Sequence, residues 1–473
     1  MPAALNLKGV KQSKNQCTNA AIVMENNRAI QHLFSRAGFG MSPGEWQKWQ
    51  QAAASSAVDH LFEMAGNAVL LPEPAWVKED LMGLEREKIE ELLKEGRQQV
   101  IQLASDWLHR MADPGQPALL EKMTLFWHGH FACESKTGLV AVKQINTLRT
   151  HALGNFKTLV LAIARDAGMI RYLNNQQNRK QKPNENFARE LMELFTIGRG
   201  HYSEQDVKEA ARAFTGWSSD PQGNFVFRER AHDTGSKTFM GRTGNFDGSD
   251  VIEILLERPE TAQFITRKIL RFFVTENPAA DQINHFSNLF FRSGYDIKAL
   301  MRAIFESDWF YAPEQMGRQI KSPVVLLAGM LRAVNGAISD SRQSLFVMRS
   351  LGQTLFRPPN VAGWPSGKNW INNASLQLRL NLAAGLLSQA ELDLNAPKDL
   401  EAEKGEAIAR RLQADVDLQP LSKATENMSP EARWQYLQNY LLQGRTVDWP
   451  EASTASLQHQ LIAIMSLPEY QVC

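Results

Sequence analysis

Apolar residues recur at spacings of three and four along most of this 473-residue chain. The regular element with that period is the amphipathic α-helix. From about Ala75 to Ala112, the positions Leu81, Leu84, Ile89, Leu92, Leu93, Val100, Leu103, Trp107, Leu108 and Met111 form one stripe, with a jump at Gly96. The opposite face carries EREKIEELLKEGR, which reads as a solvated face stitched by Glu–Lys pairs, with a partner-binding coiled coil as the rival. Further helices are expected over about 117–128, 139–152, 155–166, 184–196, 203–214, 249–257, 260–275, 279–292, 296–306, 321–335 and 340–352. Ser42-Pro43-Gly44-Glu45 reads as a capping box with proline at the first helical position.

Two segments break the period. Residues 218–247 are rich in Gly, Asp and Ser, and are read as a long ordered loop with one small β-hairpin pairing NFVFR with KTFMG. Residues 357–374, RPPNVAGWPSGKNWINNA, are barred from a long helix by their prolines and glycines, while Trp364 and Trp370 call for burial. The fold class expected is mainly α, a multi-helix bundle-like body with these two irregular loops. The organisation expected is a tail over 1–29, a helical domain over 30–390 and a polar helical extension over 391–473, with a linker near Asn395-Ala396-Pro397.

Composition narrows the function classes. Lys and Arg number 52 against 51 Asp and Glu, a formal charge of +1, so no global imbalance draws the chain to nucleic acid. The short basic run Arg179-Lys180-Gln181-Lys182 has no interleaved aromatics. No apolar run reaches the roughly 18 residues of a membrane span. Cys17, Cys133 and Cys473 are too few for a disulfide framework and contain no CxxC pair. The start of the chain shows no secretory signal pattern. The expectation is cytoplasmic, with the periplasm as the alternative if an export signal is missing from this chain.

Three stretches concentrate reactive side chains. In FWHGHF, His128 and His130 sit where Gly129 ends a helix, and Glu121 lies seven residues back. The pair suits metal ligation or acid–base work, the plainer reading being histidines hydrogen-bonded in an aromatic core. In PNENFARELMELF, Glu185, Arg189, Glu190 and Glu193 share a helix behind the candidate cap Asn184. Inward carboxylates of this kind hold metals in helical bundles, although the Glu-x-x-His pattern is missing, and an internal network around Arg189 is the rival. In AHDTGSKTF, His232, Asp233 and Lys237 ride one glycine-containing turn, fit for a base, an orienter and an anion holder, or simply tied to backbone amides. His201 and Tyr202 occupy the turn between the second stretch and the next helix. HExxH, GxSxG and the phosphate-loop spacing are absent.

The stretches HLFSRAGFG, EKMTLFWHGHF, PNENFARELMELFTIGRGHYSEQDVKEAARAFTGW, HDTGSKTFMGRTGNFDG, IKSPV and LGQTLFRPPNVAGWP resemble, in order, the bacterial family of domain of unknown function 1800. The resemblance runs from about residue 30 to 390. It implies a mainly helical protein. It also implies, from genes often encoded beside members of the family, a sulfatase-like partner protein.

Two function classes follow. The first is a hydrolase or group-transfer enzyme acting on an anionic, phosphate- or sulfate-ester-like substrate. His128, His130, Glu185, Glu190 and Glu193 would hold a divalent metal ion, and His232, Asp233, Lys237 and Arg189 would act as catalytic groups. The second is a non-enzymatic helical scaffold or assembly partner. They part on one point: whether these segments meet around a wet hollow or neutralise one another in a dry interior.

Overall fold

The structure, a computed structural model, describes residues 26–66, 69–73, 86–135, 137–392, 411–443 and 446–473. Within them the chain is mainly helical, and the helices stand close to where the period puts them. The first part of the long expected stripe, residues 75–85, and the linker near 395–397 lie outside the described residues. The rest of the stripe is the helix Arg86–Ala112. It packs along the helices Pro323–Ala333, Ser341–Leu351 and Gly138–His151. Its outer face is solvated, with Lys88 and Glu91 paired at 2.9 Å.

Side chains start the helices. Ser42 Oγ accepts from the Glu45 amide at 3.3 Å, and Glu45 returns a bond to the Ser42 amide at 2.8 Å. The same Glu45 carboxylate receives the buried Arg332 guanidinium, which also donates to the Asp113 carbonyl at 2.9 Å. One cap therefore satisfies a helix terminus and a buried cation together. Ser203–Asp206 and Asp247–Asp250 form the same reciprocal box.

At the centre lies the helix Ala118–His130, buried on nearly every side. A helix enclosed all round needs partners for any charge it carries. Glu121 finds them in Arg149 Nη1 at 2.6 Å and Trp107 Nε1 at 2.9 Å, with both members of the ion pair fully buried. The helix runs one residue past the expected stop at Gly129, to His130, and a second loop closes over this end: a Cβ at Gly363 (φ +84°) would lie 2.3 Å from the Gly129 carbonyl. Only glycine permits that approach. The 357–374 segment is thus a packed loop with a single short 3₁₀ turn, Gly367–Trp370, and Trp370 is buried.

The 218–247 segment differs from expectation. NFVFR and KTFMG do not pair with each other. Phe225–Phe227 pairs antiparallel with Trp217–Ser219, and Lys237–Phe239 with Arg242–Gly244. Each strand takes its nearest neighbour, which closes the shortest loop. The second hairpin turns on Met240 and Gly241, both at positive φ (48° and 81°), as a two-residue turn of primed type requires. The Met240 amide is held by Asp206 at 2.7 Å, which helps to fix this unusual conformation for methionine.

Residues 411–443 and 446–473 pack on the same core. Ala337–Ile338 pairs with Ala414–Asp415, and the Tyr440 hydroxyl lies 2.9 Å from the Met41 carbonyl and 3.0 Å from that of Ala333. Gln319 and Cys473 exchange backbone hydrogen bonds in both directions.

Candidate functional site

The two histidines of FWHGHF diverge. His128 is fully buried. Its Nε2 accepts from the Phe356 amide at 3.0 Å, and its ring lies among Trp107, Phe356 and Trp364 at centroid distances of 5.1–5.3 Å. Accepting at Nε2 places the proton of the neutral ring on Nδ1, which has no partner. Burial depresses this imidazole to about 3, so it is neutral at physiological pH. His130 faces the other way. Its Nε2 donates to the Phe195 carbonyl at 3.1 Å and its Nδ1 accepts from Lys268 Nζ at 3.1 Å. Burial, then the Lys268 charge, pushes it well below the usual histidine range. Lys268, itself lowered to about 8 chiefly by burial, also donates to the Leu194 carbonyl at 2.9 Å.

Those two carbonyls belong to the stretch with Glu190 and Glu193, so the first two predicted motifs do meet. The junction is at the backbone of a distorted turn. The expected helix over 184–196 is α-helical only across Asn186–Glu190 and continues as a π-helical turn, Leu191–Phe195. Ile197 N bonds back to the Met192 carbonyl, five residues earlier, and Thr196 Oγ1 takes the Leu191 carbonyl at 2.6 Å. Such turns widen a helix by one residue and recur at functional sites. The upstream end departs from the expected cap by one position: Glu185 sits at the N-cap without a side-chain cap bond, and Asn184, one residue before it, accepts from the Asn186 amide through Oδ1 at 3.0 Å.

Around this turn the carboxylates outnumber the guanidiniums. Arg189 is held by Glu185 at 3.0 Å and by Glu204 at 2.7 and 2.8 Å. Arg199 Nε lies 2.6 Å from Glu193, which also receives the Tyr202 hydroxyl at 3.3 Å. Glu190, half-buried, has neither a hydrogen bond nor an ion pair at its carboxylate among the described residues. Burial raises its carboxyl above the ordinary range, the Glu193 charge adds to the rise, and Arg189 and Arg199 oppose it. Tyr172 lies within electrostatic reach of Glu190, Glu134 and the buried Cys133, and its phenol is raised, first by burial.

The HDTGSK loop is closed on itself. Asp233 accepts from Arg212 Nε at 2.8 Å and from the Gly235 amide at 2.8 Å. Arg212 also holds Glu209 at 2.8 Å. Lys237 Nζ donates to the carbonyls of Asp233 (2.6 Å) and Gly235 (3.0 Å) and reaches Asn245 Oδ1 at 3.4 Å. Burial lowers its ammonium from the usual lysine value. His232 Nδ1 lies 2.9 Å from the Thr215 carbonyl. The helix Glu204–Ala213 separates this loop from the carboxylate turn, meeting Arg189 at its first residue and Asp233 through Arg212 eight residues on. At 1.5 Å per residue that is about 12 Å. No group of three or more His, Cys, Asp and Glu side chains among the described residues is arranged to hold a metal ion.

The family described as Protein of unknown function (DUF1800) matches residues 32–472. The chain belongs to this family. No curated protein and no solved structure matches it.

In this DUF1800 chain the partners that sequence reading missed are Glu204 (for Arg189), Arg199 and Lys268, whereas the Glu209–Arg212 pair is legible and forms at 2.8 Å. Glu209 and Arg212 had a local signal, three apart on one helix face. Glu204 and Lys268 had none, because nothing along the chain ties them to Arg189 and His130. No described helix is long and apolar enough to cross a membrane.

Proposed function

We propose that the chain is an acid/base-assisted enzyme of the hydrolase or group-transfer class, with Glu190 and Glu193 as its reacting pair. The observation that carries the reading is Glu190, a half-buried carboxyl with no hydrogen bond or ion pair among the described residues, beside a second carboxylate held by Arg199 and Tyr202. A carboxyl raised by burial beside an ionised one is how two like groups come to serve as acid and base. In this proposal His128, His130, Glu185 and Arg189 become positioning residues, each with polar atoms engaged by neighbours, while His232, Asp233 and Lys237, tied within their own loop, hold the fold and take no part in turnover. Four carboxylates against two guanidiniums repel an anion. A phosphate or sulfate ester would therefore arrive as a complex with its own divalent cation, since no group of three ligating side chains among the described residues is arranged to hold one.

The test is a screen of aryl phosphate and sulfate esters, with and without Mg²⁺, Mn²⁺, Ca²⁺ or Zn²⁺. The expected result is turnover that Glu190→Gln reduces about a hundredfold with the fold intact. Absence of turnover, or full turnover in that variant, overturns the proposal.

A second reading, the non-enzymatic helical scaffold, is favoured by the saturation of the HDTGSK loop and of His130. A sulfatase-like partner and a cytoplasmic setting, or a periplasmic one, belong to either reading as proposals. Co-purification and cell fractionation decide them.

A further inference from the structure

The helix Ala118–His130 carries two charges side by side with opposite fates. Glu121 meets Arg149. Lys122, the next residue, is also buried and meets no carboxylate among the described residues. Its Nζ donates to the Gly38 carbonyl at 2.7 Å and lies over the rings of Phe39 and Phe272. Around it gather other cations. Arg36, 1% exposed, donates to the Val274 and Gln315 carbonyls and, through Nη1, to Cys473 Sγ at 3.8 Å. Arg379, fully buried, donates to the Lys321 carbonyl at 2.7 Å and to Gln471 Oε1 at 3.3 Å. Lys321 Nζ stands 3.8 Å over the Tyr470 ring.

None of the four makes an ion pair with an Asp or Glu among the described residues, although Arg149 and Arg332, as deeply buried, each do. Carbonyls satisfy part of their hydrogen-bonding capacity. Arg36 Nε and Arg379 Nη1, both buried, have no acceptor, and Lys321 Nζ has only an aromatic face. The charges act on one another. Burial foremost, with Arg36 and Lys321 adding, brings Lys122 down to about 7. Burial and then Arg379 bring Lys321 to about 8. Burial pushes the Cys473 thiol up, yet Arg36, Lys122 and Lys321 outweigh it and leave it below its ordinary value. Lys122, near 7, is only partly charged at neutral pH, yet one thiol does not balance it together with Arg36, Lys321 and Arg379, and uncompensated charge in an interior is costly. Arg36, Lys122 and Lys321 take no part in the hydrogen bonds and ion pairs of the carboxylate centre.

We propose that Arg36, Lys122, Lys321 and Arg379 around Cys473 form a binding site for a small tetrahedral oxyanion of the phosphate or sulfate class. Guanidinium forks and ammonium groups are the donors such an anion takes. Lys321, which keeps partial exposure, marks the side from which it enters. The site is separate from the Glu190 pair and stands or falls without it.

The experiment is titration calorimetry of the full chain with inorganic phosphate and with sulfate, up to about 20 mM, beside thermal unfolding in the same buffers at ionic strength matched with KCl. Binding with a rise in unfolding temperature that tracks anion concentration is expected. Lys321→Met weakens it about tenfold and Arg379→Met more, while Arg242→Met, on the surface, leaves it unchanged. Should Arg379→Met fail to fold, Lys321→Met decides. Absence of heat and protection in the unmodified chain, or equal binding in Lys321→Met, overturns the site.

Discussion

The HDTGSK loop and the carboxylate turn are built from the same residue types and end in opposite states. In the loop two cations, Arg212 and Lys237, meet two carboxylates, Glu209 and Asp233, and backbone carbonyls take the remaining donors. In the turn two cations, Arg189 and Arg199, meet four carboxylates, Glu185, Glu190, Glu193 and Glu204. The surplus falls on Glu190. A balanced cluster holds a fold together, whereas an unbalanced one keeps a group free to exchange a proton. What separates structure from chemistry here is the count of partners and not the presence of titratable residues.

The comparison can be broken hardest at the buried Glu121–Arg149 pair, where one charge meets one. Arg149→Met leaves Glu121 buried with only the Trp107 indole as donor. It should cost about 3–5 kcal/mol, read as a drop in the denaturant midpoint, and the double change Glu121→Gln with Arg149→Met should recover much of that loss. A single variant as stable as the parent would mean that the pair is not what secures Glu121.

A smaller effect comes from acid. His128 is neutral in the folded chain and held near 3, while the unfolded chain protonates it at the ordinary value of 6.5. Its contribution to stability is complete above about pH 6.5 and is lost as pH falls from there toward 3. His128→Gln keeps an acceptor for the Phe356 amide and cannot charge. Between pH 6.5 and 3 its unfolding temperature should fall less steeply than that of the parent. Parallel profiles would show that His128 does not titrate on unfolding.

Much of the fold was legible because helices are local. Ser42 and Glu45, and Ser203 and Asp206, announce their helices within four residues, and the stripe over 86–112 needs no distant information. The hairpins were misread because the turn rests on Met240, a poor turn residue by itself, which Asp206 holds from 34 positions away. The π-helical turn escaped because one widened turn leaves the apolar spacing almost unchanged. The candidate residues were visible as types, but whether each is free depends on partners brought by the fold. Lys268 reaches His130 across 138 positions and Arg36 reaches Cys473 across 437. The cation centre has no signature for the same reason, its members lying far apart along the chain.

The finest distinction lies between the loop and the turn themselves, and it also tests the central claim most directly. Turnover per folded molecule, together with the unfolding midpoint, is to be measured for Asp233→Asn and Glu190→Gln. The account predicts that Asp233→Asn loses about 1 kcal/mol and keeps its turnover. It predicts that Glu190→Gln holds its midpoint within about 0.5 kcal/mol and loses nearly all turnover. Turnover that survives in Glu190→Gln, or that disappears in Asp233→Asn at unchanged stability, would contradict it.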